Sequence, residues 1–91
     1  MLMEKRIGTA LIMIEDKSSA PHINKILIAH GEIIIARQGL NLPERKFSLI
    51  TLVLEGTTDQ LASLTGQIGK LSGVKVKSVL MKSSTEENEN T

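Results

Sequence analysis

Cysteine is missing from this 91-residue chain. Disulfides, thiolate metal sites and cysteine nucleophiles are therefore excluded, as is the CxxC loop of a copper-type metallochaperone. Aromatic residues are nearly missing too: there is no Trp or Tyr, and Phe47 is the single Phe. A sheet that binds RNA stacks bases on aromatic side chains of its central strands, and that supply is not present. No apolar run reaches the ~20 residues of a membrane-spanning helix. No basic segment followed by an apolar one opens the chain as a signal peptide would. A cytoplasmic location with no membrane partner is the expectation. Net charge is also scarce, at +1. Residues 1–81 carry ten Lys/Arg against seven Asp/Glu, a surplus of three, and residues 82–91 carry one Lys against three Glu. A surplus that small gives no electrostatic footprint for nucleic acid, so direct nucleic-acid binding is not expected.

What remains is aliphatic. Hydrophobic residues make up 41% of the chain, and Ile, Leu, Val and Met must build the core. A chain of this length forms one domain and buries only about 60–65% of its unfolded surface, so it gains from association. Arg6 to Ile14 reads as a strand with apolar residues on both parities: Ile7, Leu11 and Met13 on one side, Ala10, Ile12 and Ile14 on the other. Such a strand is covered on both faces. Ser18 or Ser19 is placed to cap a helix over Ala20 to His30, with Pro21 in its first turn and Gly31 as a left-handed terminator. Within it Ile23, Ile26, Leu27 and His30 follow helical spacing. Glu32 to Leu40 is a second strand, Asn41 to Lys46 a hairpin loop, and Phe47 to Glu55 a third strand, again apolar on both parities.

After a break at Gly56 and Thr57, Thr58 is expected to cap a second helix, with Asp59 at its positive end. Leu61, Leu64, Ile68 and Leu71 form its apolar stripe. Gly66 and Gly69 lie inside this helix, which suggests close backbone approach to the sheet, another helix or another subunit. Gly73 ends the helix, and Val74 to Met81 is the last strand. The domain thus spans residues 1–81, and 82–91, with no apolar residue, reads as a disordered polar and acidic tail.

The order β-α-β-β-α-β predicts an α+β ferredoxin-like sandwich, a four-stranded antiparallel sheet with both helices on one face. In that fold strands one and three are central. Helices cover one face only, so the other, with Leu11, Met13, Leu49 and Val53, needs cover of its own. This predicts a homo-oligomer, a dimer or tetramer, through that face, or docking onto a partner.

Several stretches resemble one family. LTGQIGKLSGVKVKSVL (Leu64 to Leu80) is similar to the closing helix and strand of the family described as regulators of an iron-only hydrogenase system. LVLEGTTD (Leu52 to Asp59) resembles the family's EGxTD-type turn. HGEIIIARQGL (His30 to Leu40) resembles its G-D-x-I-I-x-R-x-G-L pattern through Gly31, Ile34, Ile35, Arg37, Gly39 and Leu40. KRIGTALIMIEDK resembles its first strand. Here Asn41 and Leu42 separate the Gly-Leu pair from Pro43, whereas in the family pattern proline follows directly. The resemblance implies an ACT-like fold close to the C-terminal domain of the nickel-responsive regulator. It further implies a non-enzymatic regulatory role, with a small effector bound at a subunit interface. It names no ligand, and any cofactor is unknown from the sequence. In ACT-like domains effectors bind near the loop between strand one and helix one, here Glu15 to Ser19, so Glu15 and Asp16 join Arg37 and Gly39 as candidate effector-binding residues. Arg37 recommends itself independently by interrupting an apolar strand.

The remaining candidates read as structural. His22 and His30, eight residues apart on one helix, are separated by about 80° in direction and some 12 Å along the axis, so they cannot share a metal within one chain. The histidine and cysteine set of the nickel regulator is absent, and no metal site is expected within the chain. A metal bridging subunits through either histidine stays open. His30 fits better as a helix-end residue interacting with the helix dipole. No serine has an evident base, and no arginine follows strand one in a glycine-rich loop, so an enzyme is not expected. A structural adaptor, docking a protein partner on the apolar sheet face without a small ligand, is the alternative. Only five residues precede the first strand, so no DNA-binding segment is expected ahead of it.

Overall fold

Alternating aliphatic side chains draw four strands into one antiparallel sheet in the order β2-β3-β1-β4. A computed structural model describes the chain over residues 4–83, with side chains over 4–81. The elements are β1 (Arg6–Ile14), α1 (Ala20–Ala29), β2 (Ile34–Leu42), β3 (Phe47–Gly56), α2 (Thr58–Gly69) and β4 (Val74–Ser83), with single 3-10 turns at Lys17–Ser19, Gly31–Ile33 and Pro43–Arg45. This is the ferredoxin-like sandwich, with β1 and β3 in the centre as their two-sided apolar pattern requires.

The core lies between sheet and helices. Ala10 stands beside Leu52 and Ile12 beside Ile50 across the central strands. These residues, with Ile14 and Leu54, are buried beneath Ile23 and Leu27 of α1 and Leu61, Leu64 and Ile68 of α2. Each such Ile or Leu side chain contributes roughly 1.5–3 kcal/mol by leaving water. The opposite parity of β1 and β3 faces away from both helices.

Helix ends differ from the sequence reading in informative ways. Thr57, not Thr58, caps α2: its hydroxyl accepts from the Gln60 N–H at 3.2 Å, and the Gln60 side chain accepts from the Thr57 N–H at 2.9 Å. This reciprocal pair is a capping box, which the T-x-x-Q spacing encodes. Ser19 does not cap α1, because its buried hydroxyl donates instead to the Ser72 carbonyl at 2.7 Å. Asp16 caps the preceding 3-10 turn, accepting from the Ser18 N–H and Oγ–H. Gly31 is not left-handed. α1 ends at Ala29 and the chain turns through Gly31–Ile33, so β2 begins two residues later than the sequence suggests and runs on to Leu42. Gly66 makes no close approach, since a Cβ there would meet nothing within 4 Å, and one on Gly69 would only touch Val76. β4 continues through Ser83, so the expected tail loses its first two residues to the sheet; residues 84–91 lie outside the described residues.

The β2–β3 ladder carries an irregularity. Ile34 pairs with Leu54 but Ala36 pairs with Val53, so Ile35 is one extra residue on β2. No glycine or proline marks it, and β-bulges of this kind collect on edge strands.

Candidate functional site

The extra residue at Ile35 decides which way β2 presents its side chains. Beyond it Arg37 pairs with Leu52, Gly39 with Ile50 and Asn41 with Ser48, which places Arg37, Gly39 and Asn41 on the helix side of the sheet. In an uninterrupted ladder the residue opposite Leu52 would be Ala36, and Arg37 would stand on the other face. Neither helix extends over this edge. A groove of 520 Å³ results, bounded by Lys17 and the first turns of α1, by Arg37 to Asn41 of β2, and by Ser48 to Ile50 of β3.

The groove has an apolar floor and a polar rim. Ile14 and Ile50 reach it from the core edge, and Ala20 supplies a small side chain at the start of α1. Arg37 Nη2 donates to Asn24 Oδ1 at 3.4 Å, a long bond that leaves most of the guanidinium's donors unused. Ser48 Oγ donates to Asn41 Oδ1 at 2.8 Å. With both amide oxygens engaged, the Asn24 and Asn41 NH₂ groups are the polar ends left for a ligand. Lys17 adds an ammonium. No Asp or Glu lines the groove.

Of the four residues the sequence marked for effector binding, Arg37 and Gly39 belong to this groove and Glu15 and Asp16 do not. The backbone N–H groups of Glu15 and Asp16 both donate to the Gly73 carbonyl, at 2.7 and 3.3 Å. This ties the end of β1 to the turn before β4. The Glu15 carboxylate then lies 3.9 Å from Lys75 Nζ, and that of Asp16 is held by Ser18. Those two bonds from Ser18, the hydroxyl first and the N–H second, keep the Asp16 carboxyl below its ordinary value of 3.8. Lys17, Asn24, Asn41 and Ser48 were not singled out in the sequence. They are common polar residues on four separate elements, and only the Ile35 register and the path of α1 bring them together.

The second candidate region is the helix-free face. Met13 stands beside Leu49, Leu11 beside Thr51 and Thr9 beside Val53. Leu11 is 48% exposed and Val53 41%, values far above those of the core. On the β4 side Lys75 and Lys77 pair with Met13 and Leu11, so the apolar centre has a basic margin. All four residues expected at an interface therefore share this one surface.

His30 sits at the C-cap of α1. Its Nδ1 is 2.8 Å from the Ile26 carbonyl oxygen and its Nε2 3.4 Å from Ser63 Oγ of α2. With Nδ1 protonated, the ring donates to the Ile26 carbonyl, which also accepts the His30 N–H at 3.1 Å, and accepts from Ser63, a bridge between the helices. His22 is exposed. Among the described residues no three His, Asp or Glu side chains are grouped so as to hold a metal ion. Among them, too, no helix is long and apolar enough to cross a membrane.

Comparison with known proteins places this geometry. A family model, TM1266-like, described as "Iron-only hydrogenase system regulator, putative", matches residues 6–78, from the first residue of β1 into β4. The structure of an uncharacterized protein, TM1266 from Thermotoga maritima, is similar at a TM-score of 0.83 and 32% identity, covering 87% of this chain and 100% of that one. A functionally unknown protein from Pediococcus pentosaceus shares the fold at a TM-score of 0.55 and 9% identity, with 94% of this chain and 100% of that chain covered. The de novo designed protein Foldit4 does so at 0.57 and 9%, with 86% and 97% covered. No curated protein matches.

Proposed function

The chain belongs to the TM1266-like family, and from that premise we propose that it is a non-enzymatic regulatory subunit of an iron-only hydrogenase system that self-associates through its helix-free sheet face. One observation carries the assembly: two central strands present Leu11, Met13, Leu49 and Val53 on a surface that no helix covers. Exposed apolar patches of this kind mark interaction sites. A second copy of the same face suits it, because a two-fold stack places the two apolar centres together. The lysines of β4 then stay at the rim, in water. The regulatory, non-enzymatic role is supported by the family's description as a regulator.

Native mass of the wild type and of Leu11→Asp and Val53→Asp, by sedimentation, tests the assembly. Both positions are solvent-facing in the single chain, so the substitutions leave the core untouched. An oligomer that each substitution reduces to monomer is the expected result. A wild-type monomer would overturn self-association and favour the adaptor, in which the same face docks a different protein.

A further inference from the structure

We propose that the groove between α1 and the β2–β3 edge binds a small organic carboxylate, with Arg37 as its principal anchor and Lys17, Asn24 and Asn41 as supporting donors. The proposal deepens the regulatory reading and rests on it for its biological meaning, since the ligand would be the effector.

The rim decides the sign and type of ligand. Arg37 and Lys17 contribute two cationic groups from two elements, and among the described residues neither has a carboxylate within ion-pairing range. Of the acidic side chains near this end of the sheet, Glu15 lies by Lys75 and Asp16 by Ser18, and Glu44 in the hairpin turn is not among the residues lining the groove. Both asparagine oxygens are occupied, by Arg37 and by Ser48, so the NH₂ groups are the ends of these amides left to donate. A rim made of N–H donors matches an acceptor-rich ligand, and the planar guanidinium fork matches a carboxylate through two parallel bonds.

The floor decides between an organic ligand and an inorganic anion. Ile14, Ala20 and Ile50 offer apolar surface that phosphate or sulfate cannot use, whereas a short carbon skeleton can. The volume, 520 Å³, lies within the ordinary range for small-molecule sites. Gly39 faces the groove from β2 with no side chain, and a Cβ there would meet nothing within 4 Å. That vacancy leaves room beside Arg37 for the ligand itself.

The test is calorimetric titration of the whole chain with succinate and with 2-oxoglutarate, with dimethyl succinate as the uncharged control and inorganic phosphate as the non-organic one. The expected result is binding of at least one carboxylate and of neither control. Arg37→Met should weaken that binding by about tenfold or more, the scale of a charge-assisted hydrogen bond. Arg37→Lys should restore part of it, and Lys17→Met should weaken it less. Arg37 is exposed, so folding of the variants is secure and circular dichroism verifies it. Binding unchanged in Arg37→Met, binding of phosphate alone, or no binding of either carboxylate would overturn the proposal. Sedimentation of the same samples separates the two readings. An intact oligomer that ignores carboxylates sinks the groove alone, and a monomer that binds them sinks the assembly alone.

Discussion

Gly73 has a φ of +67°, in the left-handed region, and its Cα lies against Asp16. A Cβ at this position would collide with the Asp16 Cβ and come within 3.0 Å of its backbone nitrogen. Its carbonyl accepts the two N–H groups that end β1. Gly73→Ala should therefore cost more than the roughly 1–2 kcal/mol of left-handed backbone alone, read as a lower urea midpoint by circular dichroism. Asp16 supplies a pH dependence at the same corner. Its carboxyl is lowered in the folded chain by the two Ser18 bonds, so the stability it contributes is complete above its ordinary value. That contribution is lost as the pH falls from there through the lowered folded value. Asp16→Asn should flatten the acid side of the stability profile, comparing urea midpoints at neutral pH and near about pH 3. The glycine was read as the terminator of α2, but that helix ends at Gly69, and the left-handed Gly73 instead turns the chain into β4. The role of Asp16 was not legible, because charge at a loop suggested a ligand whereas the carboxylate closes a local turn with Ser18, two residues away.

At the scale of elements, both helices and all four strands follow from periodicity, and the errors gather at their ends. A cap placed at Thr58 belongs to Thr57, since only the residue three before Gln60 can close the box. Gly66 is the clearest misreading. Its place in α2 suggested close packing, yet it is exposed and a Cβ there would meet nothing. Gly66→Ala should then raise stability by up to about 1 kcal/mol, the propensity difference in a helix interior, seen as a higher thermal midpoint. A lower midpoint, or a changed native mass, would mean that α2 carries a subunit contact at that glycine. The groove was half legible for a similar reason. Arg37 announced itself as a charge within an apolar strand, but no pattern along the chain links Lys17, Asn24, Asn41 and Ser48, which the tertiary path alone assembles.

For the whole molecule, two faces of one sheet have different fates. The helix side holds Ile12, Leu52 and Leu54 without measurable exposure, while the other leaves Leu11 and Val53 in contact with water. That division was visible in the sequence, because β1 and β3 alternate two apolar sets and a pair of helices covers only one. If the uncovered set pairs with a second copy, folding and association are linked, and the thermal midpoint should rise with protein concentration. A midpoint unchanged over a hundredfold dilution range, set by about 2.7 kcal/mol per factor of 100 in linked binding, would count against it. The groove opens on the helix side of the sheet, but Leu49 lines it as well, and Arg37 also borders a small pocket with Val53, so the two surfaces meet at this edge. Leu11 lines neither pocket, so substitutions at Leu11 and at Arg37 should act independently.

The extra residue at Ile35 makes β2 a segment governed by counting rather than by chemistry. Ile35 itself is 57% exposed and packs against little, so many residues could stand there without harm. Removing it is different. The strand would lose its odd step, and everything downstream to Leu42 would change sides unless the hairpin slipped by one. Arg37 would land among the aliphatic side chains of the uncovered face, and Leu40 would turn into the groove. Among related chains, the stretch between Ile34 and Arg37 should therefore vary freely in letters while keeping its length, much as a reading frame survives substitution but not deletion.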